Sequence, residues 1–429
     1  MIQSLTIRNY RSFKNEVTLS FEASRDKDLH DLHKVEVVPG TELLKTAVLF
    51  GANASGKSNL IKAFQFIYDF WSIIPDSKDE EIGVEPFLFD NQSKQEPTFF
   101  RLIFFHDKKK YDYSLELNNR VVLSEKLNYY PSTQPKLIFD RTQESIAQID
   151  FGTGIKLKAA EKNEINVKCL PNMSVFGAYN QVNVRLPEIE SVVEWMKSRF
   201  MNTIEPDMHG SLSRYVEDLI SDDSDFKLQI LEYLREADFN ISNIHSEIVK
   251  HDIPEFLISS IIEDARLPQK EKDRIIKEKT FDMPKTEFEH VIYDHMGNMH
   301  RFKLPKDDQS EGTLRTFELS GPILQALKRN AFLAIDEMES KLHPRLIQFM
   351  IDNFLKNSKE AQLLISTHYD GLLDEDDLLR ADNVWFTQKS KFGSTELYSL
   401  SGFKAIKRIS SWLKAYRYGK FGALPNIQL

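Results

Sequence analysis

The sequence has 429 residues, 41% of them hydrophobic and 28% charged, the balance of a globular chain with room for two or three domains. A formal net charge of −9 argues against general coating of nucleic acid, so any such contact must come from a local basic patch. The single cysteine, Cys169, excludes an internal disulfide framework and fits a reducing cytoplasm, and no apolar run is long enough to span a membrane.

The chain opens with alternating apolar and polar residues over 2–8 and 16–22, a strand pair rather than a secretion signal. Thr46-Ala-Val-Leu-Phe50 is a short apolar run ending at a glycine, and residues 58–71 carry apolar side chains at helical spacing. The order is strand, glycine loop, helix. From about 84 to 170 short strands are expected, with Asn118-Asn119 at a hairpin turn. Helical spacing is expected from about 187 to 280, without the sustained heptad of a coiled-coil arm. Strand and helix signals alternate again from about 288 to the end.

Gly51-Ala-Asn-Ala-Ser-Gly-Lys-Ser58 satisfies G-x-x-x-x-G-K-[ST] in its required setting. Gly51, Asn53, Ala54, Ser55 and Gly56 would line an anion nest with their backbone, and the helix that follows adds its positive end. Lys57 can reach the outer phosphates of ATP, Ser58 can ligate Mg²⁺, and Asn59 follows directly. Ala331-Phe-Leu-Ala-Ile335 is a buried-strand run that delivers Asp336 and Glu337 at its end. There Asp336 would hold Mg²⁺ through water, and Glu337 would act as general base on the attacking water. Leu363-Leu-Ile-Ser-Thr-His368 is a second such strand, placing His368 where it can reach the γ-phosphate or orient water.

This order resembles ATPases of the ABC superfamily, and the resemblance implies a further loop before the acidic strand. Ser310-Glu-Gly-Thr313 fits it, so that Ser310 and Gly312 would cap the nucleotide held by a second protomer. A rival, Leu319-Ser320-Gly321, runs into Pro322 inside a helical pattern. More narrowly, the chain is similar to the ABC-like ATPases, often labelled AAA-type, of bacterial phage-defence operons. The matching stretches include Ile2 to Phe13, the phosphate loop, Pro86-Phe-Leu, Leu342-His-Pro344, Glu396 to Phe403 and Tyr418 to Pro425. Relatives include ATPase components of abortive-infection, Septu and PARIS systems and, more distantly, RecF, SMC heads and OLD nucleases.

The resemblance implies an α/β fold, an ABC-type P-loop head. Its parts would be an N-terminal lobe at 1–186, a helical insertion at 187–287 and a C-terminal α/β lobe at 288–429. It also implies that Arg11 and Ser12 touch nucleotide, and that Gln181 senses Mg²⁺ and the γ-phosphate, the alternative being a plain loop glutamine. Only about sixty residues follow His368, too few for the nuclease domain of OLD proteins. The implied assembly is a homodimer or larger homo-oligomer with composite ATP sites, controlling an effector protein from a neighbouring gene.

The alternative is a RecF- or SMC-like DNA-maintenance ATPase. Residues 402–429 carry Lys404, Lys407, Arg408, Lys414, Arg417 and Lys420 among aromatic residues with no acidic one, a possible DNA contact. An ordinary amphipathic helix docked on an acidic edge is the other reading of that stretch. A transporter subunit is disfavoured, because about 250 residues separate Lys57 from Ser310.

Overall fold

The computed structural model describes the chain apart from residues 144–146, 238, 255, 257, 259–261, 263–268 and 426–429. Parts of the expected 187–287 insertion and the last four residues of the basic 402–429 stretch therefore lie outside the described residues. The chain divides into two compact units, residues 1–207 with 325–429, and residues 208–324.

The first unit is built on a five-stranded sheet. Its order is Phe332–Ile335, Gln362–Ser366, Thr46–Phe50, Val384–Lys389, Thr395–Ser399. The first four strands are parallel and the last is antiparallel. All five residues of Thr46–Phe50 are buried, which explains why it reads as a continuous apolar run rather than an alternating one. Parallel neighbours on both sides put the loops after Phe50, Ile335, Ser366 and Lys389 along one sheet edge. The strand carrying Asp336-Glu337 is separated from the phosphate-loop strand by one intervening strand.

A seven-stranded antiparallel sheet forms the N-terminal lobe, with Ile2–Arg8 and Val17–Ser20 paired as expected. Its later strands are joined by tight hairpins, and Asn118 Oδ1 accepts from the backbone of Arg120 and Val121 at the anticipated turn. The helix Lys57–Ser72 buries Leu60, Ile61, Phe64, Ile67 and Trp71 in one core shared with both sheets. Trp71 contacts Tyr113, Phe176 and Trp195, while Phe64 lies 4.7 Å from Phe332. The fold is α/β, as the sequence implies.

The second unit packs helices His209–Asp222 and Ser224–Glu236 with the start of Glu311–Arg329 onto a three-stranded antiparallel sheet. Its strands are Ile241–Asp252, Thr280–Tyr293 and Met299–Pro305. Helical spacing misled here for a physical reason. The apolar residues Ile241, Ile244 and Ile248 fall three and four apart, and a β-bulge between Ile241 and Asn243 inserts the extra residue.

An ion pair with no solvent exposure braces the N-terminal lobe. Glu125 accepts from Tyr113 Oη (3.1 Å) and the Val175 backbone (2.9 Å), with Arg141 Nη1 at 3.5 Å. Arg141 also donates to the carbonyls of Met173, Leu170 and Pro171, tying down the turn before helix Val175–Tyr179. Burial pushes the Glu125 carboxyl upward, opposed by Arg141. Arg141→Met should therefore destabilise the protein by about 3–5 kcal/mol near neutral pH. Loss of Arg141 removes the charge that opposes this rise, so the folded carboxyl of the variant holds its proton still more tightly than the parent's and the deficit should deepen as pH rises above the ordinary value of 4.5. Denaturation midpoints that match the parent at every pH would show that the pair holds nothing together.

Candidate nucleotide site

Lys57, Asp336, Glu337, Glu339 and His368, scattered in the sequence, meet at the edge of the five-stranded sheet. The loop after Phe50 turns through Gly51, whose hypothetical Cβ would lie 2.5 Å from the Thr387 carbonyl. Gly56 caps the helix at φ 114°, and a Cβ there would strike Thr395 Oγ1. Both glycines are thus fixed by what lies beneath the loop. The floor is a hydroxyl network: Ser55 Oγ to Thr387 Oγ1 (2.6 Å), Thr395 Oγ1 to Ser55 O (2.7 Å) and Thr395 Oγ1 to Ser12 Oγ (2.9 Å). Asn59 Nδ2 donates to Ser12 Oγ at 2.8 Å, so Asn59 and Ser12 brace the loop from its far side. Asn53 and Ala54 are exposed at the tip, Ala54 with φ 58°.

Lys57 is buried and donates to Gly51 O (2.9 Å) and Ala52 O (3.2 Å), with His368 Nε2 at 3.1 Å. The ammonium is held over the loop. Burial pulls its pKa down, and the negative charges of Asp336, Glu339 and Glu337 oppose that.

The acidic strand ends in a brace. Ser366 Oγ donates to Asp336 Oδ1 and accepts from the Glu337 backbone at 2.9 Å. Glu337 sits at φ 47°, a left-handed conformation that non-glycine residues adopt at a cost of about 1–3 kcal/mol. Glu339 Oε1 accepts from the His368 backbone, while its buried Oε2 has no hydrogen-bond partner among the described residues. Sequence reasoning missed Glu339, Thr387 and Thr395. Each acts through a contact that only the fold creates, and no local motif announces it.

A cavity of about 830 Å³ opens over the inner half of the loop. Its lining includes Gly51, Asn53, Ser55, His368, Asp370 and Lys389. Lys57, Ser58, Asp336 and Glu337 lie outside this lining, and four other predicted residues lie farther along the chain's surface and second unit. Arg11, at φ 49°, pairs with Glu85 at 2.9 Å. Gln181 is exposed, with its amide 3.4 Å from Gly177 O of the preceding helix. Ser310 and Gly312 belong to the second unit, where Ser310 Oγ accepts from the Thr313 backbone at 3.1 Å and opens the helix Glu311–Arg329. Leu319 and Ser320 are buried within that helix, as their pattern suggested.

The donor set suits a polyphosphate with a hard divalent cation. Two glycine positions that admit no Cβ shape the loop, a buried cation overhangs it, and an orphaned carboxylate oxygen lies nearby. Among the described residues no cluster of three or more His, Cys, Asp or Glu could hold a metal ion. Mg²⁺ characteristically takes one or two carboxylates plus substrate phosphates.

Comparison with known proteins agrees with this geometry. The family described as "AAA domain, putative AbiEii toxin, Type IV TA system" matches residues 47–152 and 197–374, more than half of the chain. The chain belongs to this AAA-domain family. No curated protein matches. Among solved structures, the SMC head domain from Thermotoga maritima is similar at 12% identity and TM-score 0.43, covering 93% of this chain and 98% of that one. An SMC head bound to the C-terminal winged-helix domain of ScpA gives 12% identity and TM-score 0.46, with coverages of 95% and 99%. An SMC head with an extended coiled coil, bound to the C-terminal domain of ScpA and derived from Pyrococcus furiosus, gives 13%, 0.37 and 98% of each chain. The chain thus joins AAA-domain family membership to a phosphate loop at the edge of a mostly parallel sheet.

The site fixes the resting charge of His368. Burial first, then the neighbouring Lys57, lowers its pKa from the usual 6.5, with Glu339, Glu337 and Asp336 opposing. In nucleotide-free protein the imidazole should be neutral at pH 7 and titrate below 6.5, and Lys57→Ala should move its midpoint upward. A midpoint at or above 6.5 in an NMR titration of the unmodified protein would contradict this electrostatic picture.

Proposed function

We propose that this protein binds ATP with Mg²⁺, hydrolyses it slowly, and uses the cycle to control a partner effector in antiviral defence. The observation that carries the ATPase reading is the convergence of Lys57, Asp336, Glu337 and His368 on one sheet edge above a hydroxyl-braced phosphate loop. In this reading the loop backbone from Gly51 to Ser58 and the Lys57 ammonium bind the phosphates, with Asn53 and Ala54 at the rim and Asn59 supporting from below. Ser58 and Asp336 would hold Mg²⁺, which when bound neutralises phosphate charge. Glu337 takes a proton from the attacking water. His368, neutral and 3.1 Å from Lys57, can donate to or accept from groups above the loop.

Arg11 would turn from Glu85 toward nucleotide, and Gln181 would approach the cation only if its helix end moved. Ser310 and Gly312, at a helix start in the second unit, would face the nucleotide of a second copy. Two nucleotides bridging two copies would then favour a homodimer, and hydrolysis would remove that bias. The family description, with its words "putative AbiEii toxin, Type IV TA system", supports the defence setting. Residues of the expected 187–287 insertion are the candidate surface for the effector, and the buried free Cys169 suits cytoplasmic work. Among the described residues no helix is long and apolar enough to cross a membrane.

The DNA-maintenance alternative rests on the exposed basic residues Lys404, Arg408, Lys414 and Lys420. Its stacking platform is thinner than the sequence suggests. Tyr416 and Phe421 are buried, Lys407 pairs with Asp26 at 2.7 Å, and Arg417 pairs with Asp370.

Lys57→Ala should abolish binding of a fluorescent ATP analogue. Glu337→Gln should bind normally while turnover falls by about 10²–10⁴-fold, leaving an ATP-dependent dimer detectable by light scattering. Equal hydrolysis by Glu337→Gln and the parent would sink the general-base assignment. In cells carrying the neighbouring genes, Lys57→Ala should abolish phage protection at unchanged expression. Full protection by that variant would instead remove the defence reading, and salt-sensitive, ATP-dependent DNA binding would favour the alternative.

A further inference from the structure

The last part of the first unit is unexplained by phosphate-loop chemistry, yet it touches the site at two places. Tyr416 and Phe421 both stack on Phe386, with centroids at 5.5 and 5.8 Å, which anchors the segment to the strand beside the phosphate-loop strand. Beyond them Gly422 (φ 67°) and Ala423 (φ 58°) reverse the chain, and a Cβ on Gly422 would strike Gln388 Oε1. The reversal aims the Ala423 carbonyl at the loop. It accepts from the Ala52 backbone (3.0 Å) and from Tyr416 Oη (3.1 Å), while Ala423 N donates to Gln388 Oε1 (2.9 Å). Leu424 and Pro425 then complete the wall of the cavity over the loop.

The second grip is on the strap that carries His368. The short helix Trp412–Arg417 lies against the turn Asp370–Asp374. Ser411 Oγ donates to Asp374 at 2.8 Å, and Arg417 makes a bidentate pair with Asp370 through Nε (2.7 Å) and Nη2 (2.9 Å). Asp370 stands two residues after His368, whose own backbone is held by Glu339. One segment therefore fastens the first peptide of the phosphate loop and the turn that follows the histidine.

We infer that Ser411–Pro425 is a clamp that sets the spacing between the phosphate loop and His368, with Arg417 as a positioning residue for nucleotide turnover. This rests on the nucleotide-hydrolysing reading above. The Arg417 side chain is 61% exposed, where an ion pair adds little to stability, but its two parallel bonds fix direction as well as distance. A displacement of the order of 1 Å at a reacting group can slow turnover by up to about a hundredfold without touching the binding groups themselves. The segment reaches the histidine side of the cavity through Arg417 and the phosphate side through Ala423. Loss of the arginine should therefore separate turnover from binding.

The experiment compares the full chain with Arg417→Ala, Arg417→Asp, Asp370→Arg and the charge-swapped double variant. It measures steady-state ATP hydrolysis, binding of a fluorescent ATP analogue and thermal midpoints, with Lys57→Ala as the binding-deficient control. Arg417→Ala should lower kcat by about tenfold, with analogue affinity and thermal midpoint unchanged. The swap should recover most of the rate that each single charge reversal loses. Parental kcat in Arg417→Ala would overturn the clamp, as would an equal loss of binding or a swap no better than its singles. Neither binding nor hydrolysis by the unmodified chain is a different pattern, and it would remove the nucleotide reading together with the clamp.

Discussion

The constraint on which the site depends is the complete burial of Thr46–Phe50 between two parallel neighbours. A strand with both edges paired and both faces covered cannot slide or flip without emptying the core around Leu49 and Phe50. Parallel pairing with Gln362–Ser366 on one side and Val384–Lys389 on the other then leaves no choice about where the next residues emerge. Gly51 and Thr367-His368 leave the sheet at one edge, and pairing of Phe332–Ile335 with Gln362–Ser366 adds Asp336 to the same edge. Chemistry that is spread over more than 300 positions of sequence is assembled by register alone.

Register brings the groups to one edge, and hydroxyls hold them there. Ser366 links the two adjacent acidic residues, because a single Oγ donates to the Asp336 carboxylate and accepts from the backbone of Glu337. The backbone turns left-handed at Glu337, immediately after this bond. Ser12, Ser55, Thr387 and Thr395 do the corresponding work beneath the phosphate loop, in a volume that Gly51 and Gly56 leave too small for a methyl group. Such buried hydroxyls are favourable only when fully satisfied, so the loop is pre-organised before any phosphate arrives.

Much of this was legible in the sequence, because the informative residues were local. Gly51, Gly56, Lys57 and Ser58 share one short motif, and Asp336-Glu337 and His368 each end an apolar run whose length marks it as a buried strand. The floor of the loop was not legible. Thr395 and Ser12 meet across 383 positions, and nothing in Ser394-Thr-Glu or Arg11-Ser-Phe distinguishes a brace from a surface polar residue. The sheet of the second unit was hidden for another reason: a bulge turned strand alternation into helical spacing at Ile241, Ile244 and Ile248. The basic C-terminal stretch shows how composition misleads, since Tyr416 and Phe421, which look like a stacking platform, belong to the core.

The acidic strand is also where the chain leaves for its second unit. Residues 200–204 run parallel to Phe332–Ile335, with bridges from Phe200 to Phe332 and from Ile204 to Ile335, and the Asp336 backbone donates to the Ile204 carbonyl at 2.8 Å. Asp207 ends the first unit three residues later. The return path is as short: the helix Glu311–Arg329 passes through Asn330 and Ala331 directly into the acidic strand. Both covalent routes between the units therefore converge on four residues, and one of them is hydrogen-bonded to the peptide of Asp336 itself. The segment that leads into the second unit and the one that returns from it are thus both tied to the strand that ends at Asp336.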